Sequence, residues 1–113
     1  MQRLPSRLVS GSQLTTSAAT YYTSPVNTIT TISAMTLTNT TAGAVTATVY
    51  LVPSAGTAGA DNVILSARTL AAGESYNVGS AIGQTLPAGG TIQALAGAIT
   101  SITLVASGYA TNP

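Results

Sequence analysis

From Val45 to Leu51 every second residue is apolar, with Val45, Ala47, Val49 and Leu51 alternating with Thr46, Thr48 and Tyr50. Successive side chains of a strand point to opposite faces of its sheet, so a period of two fits a half-buried antiparallel strand and not a helix. Pro53 ends this run, and Ser54 to Asp61, with Gly56 and Gly59 among small residues, reads as a hairpin loop. Shorter runs with the same period follow: Val63, Leu65 and Ala67; Tyr76 and Val78; Ile92, Ala94 and Ala96; Ile102, Leu104 and Ala106. Ala72-Gly73, Leu86 to Gly90 and Gly97-Ala98 separate them as turns. Upstream, Thr28 to Asn39 is predicted to be a long strand whose phase blurs at Ser33, the mark of a bulge, and Asn39 to Gly43 a tight turn. About seven strands with regular turns predict an all-β fold, a single antiparallel β-sandwich; periodicity alone leaves a small closed barrel as the alternative. The residues in phase, Val45, Val49, Leu51, Leu65, Ile92, Ala94, Ile102 and Leu104, are the predicted core.

Residues 1–27 differ from the rest. They carry Pro5 and Pro25 and only scattered Leu4, Leu8, Val9 and Leu14, so they are expected to form an extended N-terminal arm that adds at most one strand, near Gln13 to Thr23. Residues 28–113 are then the β-sandwich domain, and a chain of 113 residues has room for a single core.

Charge sets the next constraint. Only 4% of residues are charged, namely Arg3, Arg7, Asp61, Arg68 and Glu74, where soluble domains carry about a quarter. Solvent contact must therefore be made by Thr, Ser, Asn, Gln and backbone, a surface that is wet but not repulsive. With a net charge of +1 and many β-formers, little opposes edge-to-edge pairing, and the chain is expected to live in an assembly whose neighbours cover its edges. The basic stripe that nucleic-acid binding needs is missing, since only Arg3 and Arg7 lie near each other; the expected partners are other copies and further proteins, with no nucleic acid and no membrane. The first twelve residues lack the apolar stretch of a secretory signal, and no run reaches the length of a membrane-spanning helix despite a mean hydropathy of +0.41.

The chemistry of catalysis is thin. His, Cys and Lys are absent, which removes Ser-His-Asp, Cys-His and Ser-Lys arrangements together, so no catalytic residue is assigned and no enzyme activity is expected. Asp61 and Glu74 are the only carboxylates, and a glycosidase would need both beside one sugar. Neither a metal site nor a cofactor is expected, because His and Cys ligands are missing and no glycine cluster carries the Lys and helix of a phosphate loop. The sequon Asn39-Thr40-Thr41 is read as a turn rather than a glycosylation site.

The five aromatics are all Tyr: Tyr21, Tyr22, Tyr50, Tyr76 and Tyr109. Tyr suits the place where a half-buried strand meets a neighbouring surface. Tyr21 and Tyr22, being adjacent in a strand, are expected to face opposite sides, so that both cannot be core of one subunit. Together with Arg3 and Arg7 they form the expected interface. Clustering of Tyr22, Tyr50 or Tyr109 at one loop end would instead favour a carbohydrate- or receptor-binding module of a fibre.

Tyr21-Tyr22-Thr23-Ser24-Pro25, Leu37-Thr38-Asn39-Thr40-Thr41, Val49-Tyr50-Leu51-Val52-Pro53, Leu70-Ala71-Ala72-Gly73-Glu74 and the stretch from Leu95-Ala96 to Ser107-Gly108 resemble, in order and spacing, small Ig-like β-sandwich proteins of tailed bacteriophages. The resemblance runs from about Thr20 to Tyr109. It implies a virion structural protein assembled in the host cytoplasm, as a capsid decoration (cement) protein or a collar, tail or fibre component, and a homo-oligomer in contact with capsid, collar or tail proteins. Relatives often carry an acidic residue where this chain has Gly89-Gly90, and more charge throughout, so no attachment site is carried over.

Overall fold

The alternating segments become strands. A computed structural model describes residues 2–98 and 101–112, with backbone alone for residues 2–6, 10 and 112. Its strands are β1 (Gln2–Gln13), β2 (Ala19–Thr23), β3 (Ile29–Asn39), β4 (Val45–Val52), β5 (Val63–Leu70), β6 (Ser75–Asn77), β7 (Thr85–Leu86), β8 (Thr91–Ala96) and β9 (Ile102–Asn112), with one 3₁₀ turn at Gly79–Ala81.

The pairing is nested. β4 pairs with β5, β3 with β6, β2 with β8 and β1 with β9, all antiparallel, as if one long hairpin with its tip at residues 53–62 had been folded over. Ladders between β3 and β9 and between β4 and β8 then join these pairs into two sheets, ordered β1-β9-β3-β6 and β2-β8-β4-β5, while β7 adds to β3. The sandwich stands as read from the sequence, and two separate ladders rule out the closed barrel. Its connections are those of a jelly roll, in which nearly every loop crosses between sheets. An Ig-like order would keep β1 and β2 in one sheet, as it keeps its own first two strands. The Ig-like label is therefore corrected to jelly roll, because strand order follows long-range pairing that period-two patterning does not encode.

Between the sheets lie Val49, Ile92, Ala94, Ile102 and Leu104, fully buried as expected, while Val45, Leu51 and Leu65 are half-buried against them. Leu8, Val9, Leu14, Ile32, Met35, Leu37, Ala47, Leu70, Val78, Ala81, Leu86, Ala96 and Ala106 complete the cluster. The blurred phase of β3 is a real irregularity: its ladder with β9 shifts between Ile32 and Ala34, and the inward set passes from Thr30 and Ile32 to Met35, Leu37 and Asn39. Close by, β9 approaches β3 so tightly that a Cβ on Gly108 would collide with the Thr31 carbonyl, which only glycine avoids.

Residues 1–27 are where expectation and structure differ most. They supply two strands, β1 and β2, one in each sheet, and bury Leu8, Val9 and Leu14 in the chain's own core. Their apolar residues fail to alternate because the β1 ladder shifts twice, between Arg7 and Val9 and between Val9 and Ser12, so Leu8 and Val9 are both buried although adjacent. β9 offers this segment an edge of eleven residues, and backbone pairing holds it there without an apolar face of its own.

Candidate interaction surface

The two lateral sides of the sandwich are unlike. On one side β5, the edge of one sheet, is tied to the other sheet: the Ser80 hydroxyl donates to the Ile64 carbonyl at 2.9 Å, and the Arg68 guanidinium lies 4.3 Å above the Tyr76 ring of β6. On the opposite side the edges are β1 and β2. Arg3 and Arg7 stand on β1, in register with Thr111 and Ser107, and Tyr21 and Tyr22 stand on β2. The four residues nominated from sequence thus come from the two edge strands of a single side. The side chain of Arg3 lies outside the described residues, and Arg7 is exposed.

The tyrosines do not face opposite ways. The β2–β8 ladder shifts between Thr20 and Tyr22, and this extra residue cancels the alternation, so that both rings are half-buried and packed on the core. Tyr22 uses its hydroxyl internally, 3.0 Å from the Thr30 hydroxyl, which in turn lies 2.9 Å from that of Ser24. Ser24 donates its one hydrogen to the Thr28 carbonyl at 3.0 Å, so it must accept from Thr30, and Thr30 from Tyr22. This directed chain of hydroxyls ties β2 of one sheet to β3 of the other, and the sequence reading missed it; the only available signal was hydroxyls at 24, 28 and 30 in a segment otherwise read as loop and strand. Tyr21 is the contrast. Its hydroxyl is the one buried side-chain polar atom without a hydrogen-bond partner among the described residues.

A second polar anchor closes the far end. Asn39, with no exposed surface, donates through Nδ2 to the carbonyls of Gly43 at 2.8 Å and Leu70 at 3.0 Å, while its Oδ1 accepts from the backbone N–H of Thr41 at 2.9 Å and the Thr41 hydroxyl at 2.7 Å. All four of its hydrogen-bonding positions are filled. The turn reading of the sequon holds, and burial closes this amide to glycosylation in the folded chain.

Asp61 and Glu74 are not brought together. They flank opposite ends of β5, whose eight residues span about 25 Å, and Glu74 accepts from the Ala71 N–H at 2.7 Å as a turn cap. Tyr50 and Tyr109 lie on the outer faces of different sheets, opposite Gln93 and Thr31 respectively, and Tyr22 is turned inward. No loop end gathers them. A shallow pocket of about 250 Å³ lined by Ala44, Val45, Thr46, Gly97 and Ala98 offers Thr46 as its one polar side chain. Among the described residues no group of three or more His, Cys, Asp or Glu could hold a metal, and no helix is long and apolar enough to cross a membrane.

No protein-family model and no curated protein matches the sequence. Among solved structures, a chain in the structure of infectious bursal disease virus, Gt strain, aligns with 96% of this chain and 32% of its own length, at a TM-score of 0.50 and 12% identity. A chain in the structure of the Gx strain aligns with 96% of this chain and 38% of its own length, at a TM-score of 0.39 and 17% identity. The first likeness shows the fold. This chain spans about a third of the length of the viral chains it matches.

Proposed function

We propose that this chain is a non-enzymatic structural protein of a virus particle, and more narrowly a decoration or collar protein of a bacteriophage, that acts by packing against copies of itself and neighbouring virion proteins. The observation that carries the reading is a two-sheet sandwich with five charged side chains in 113 residues, whose exposed side chains are mostly hydroxylated or small, with Val26, Ile29 and Ile82 among them. Such a surface has weak protection against association and suits permanent coverage. The jelly-roll order adds weight, since that architecture recurs in viral capsid domains, although it also serves lectins and fold alone does not fix function. In this reading Arg3, Arg7, Tyr21 and Tyr22 mark the side presented to neighbours, the two Arg meeting carboxylates of a partner and the Tyr rings stiffening the edge. Quantitative mass spectrometry of purified particles tests it. A fixed copy number per particle is expected, and a protein found only in the soluble host fraction would overturn the proposal.

A further inference from the structure

Five strands end a sheet or lie at its margin, and three sorts of defence are visible among them. β1 is kinked by two ladder shifts, opens at Gly11 with φ +127°, and includes Pro5, which has no N–H to offer. β5 is bent at Ala67, where φ is +47° and the N–H turns inward to the Thr48 hydroxyl at 2.9 Å; its start is held by Ser80 and its end carries Arg68. β6 and β7 have three and two residues. β2 is the exception. Ala19–Thr23 reads Ala-Thr-Tyr-Tyr-Thr, holds neither charge nor proline, and exposes Thr20 and Thr23; its one irregularity is the shift at Tyr21. Single chains in water blunt an edge of this kind with a charge or a proline.

We infer that β2 is the seam at which a second copy of this chain adds, antiparallel to itself, so that the four-stranded sheet continues across a two-fold axis at Thr20. The inference rests on the self-packing reading above and names its surface. Electrostatics select the occupant. No charged side chain occurs anywhere between residues 8 and 60, which includes β2, both its flanking loops and β4 of the same sheet. On the β2 edge itself a partner's charge would find no counter-charge, since Arg3 and Arg7 belong to the edge of the other sheet, whereas a copy brings the same neutral edge. A two-fold axis at Thr20 sets exposed Thr20 against Thr20 of the second copy and Ala19 against Tyr21, pairs that each share one face of the sheet.

Sedimentation velocity of the intact chain over a range of concentrations reads the dimer. Thr20→Lys places like charges across the seam and is expected to weaken association at least about tenfold, with the melting temperature unchanged because Thr20 is exposed. Mixing Thr20→Lys with Thr20→Glu is expected to restore a dimer that neither forms alone, an outcome that misfolding cannot imitate. A Lys variant that melts normally and dimerises as the parent does would overturn the inference. If Thr69→Lys on β5 dissolved that dimer, self-packing would stand and its edge would be β5. A parent chain that stays monomeric at every concentration would also overturn the β2 seam, while copy number on particles would decide the wider function separately.

Discussion

Asn39→Ala perturbs a buried side chain that makes four hydrogen bonds, and its cost can be worked from the four contacts it breaks. The Leu70 carbonyl receives its bond in a fully buried setting, so removing the amide strands an acceptor away from water, at about 1–3 kcal/mol. The contacts to Gly43 and Thr41 lie nearer the surface, where water can replace the lost partner, and each loses about 0.5 kcal/mol. The total is about 3 kcal/mol, or roughly a 12 °C drop in melting temperature for a domain of this size. Asn39→Asp is expected to cost more at neutral pH, although it keeps the shape, because a carboxylate oxygen would replace the Nδ2 donor opposite the carbonyls of Gly43 and Leu70. Protonation returns one donor, so the introduced carboxyl should titrate above its unfolded value of about 3.9 in the folded chain. A folded pKa raised in this way makes the variant's deficit greatest above that pKa and smaller as pH falls through it. Urea melts of the parent and both variants at several pH values measure these differences. A loss below about 1 kcal/mol for Asn39→Ala, or an aspartate variant more stable than the alanine variant at neutral pH, would refute the assignment of Asn39 as the clasp between the sheets.

Three further outcomes follow from the packing. Leu104→Ala, at a site with no exposed surface in the middle of β9, is expected to cost about 2–5 kcal/mol in a urea melt, and an unchanged midpoint would show the phase of β9 to be misassigned. Ala67→Gly relieves a positive φ of 47° and should raise stability by about 0.5–1 kcal/mol, whereas Ser66→Gly, one residue earlier in the same strand, should lower it. Deleting residues 1–12 removes β1, uncovers the edge of β9 and takes Leu8 and Val9 from the core; the cooperative melt seen by circular dichroism should be lost, and a truncated chain with the parent's transition would show that β1 is only an appended arm.

The candidate surface is partly legible in the sequence. Tyr21-Tyr22 stood out as an unusual pair on an otherwise small and polar segment, and the charge deficit already pointed to covered edges. The alternation rule nonetheless gave the pair the wrong geometry, because one extra residue in the β2 ladder turns both rings toward the core. Arg3 and Arg7 were recognised as the only neighbouring cations, but that their strand would lie beside the tyrosine strand at one side of the sandwich depends on which partners β1 and β2 choose. The hydroxyl chain from Tyr22 to Thr28 had no readable signature, since Ser and Thr are common throughout this sequence and only the crossing of β2 over β3 makes these four matter.

By itself the sequence determined what is local. Side chains at i and i+2 share a face, so alternation in 45–51, 92–96 and 102–106 was enough to place strands, the inward phase of Val49, Ile92, Ala94, Ile102 and Leu104, and the turns between them. Composition was likewise enough to remove the usual catalytic groups. Partner choice belonged to the tertiary structure. That β1 pairs with β9, across nearly the whole chain, and that β2 and β8 lie in the other sheet is decided by which closure buries Leu8, Val9, Leu14, Met35 and Leu86 in one core while satisfying Asn39 and the Ser24–Thr30 hydroxyls. Contacts between residues far apart in sequence must repay the entropy of closing long loops, and their free energy depends on all the strands at once, so no window of neighbouring residues can announce them.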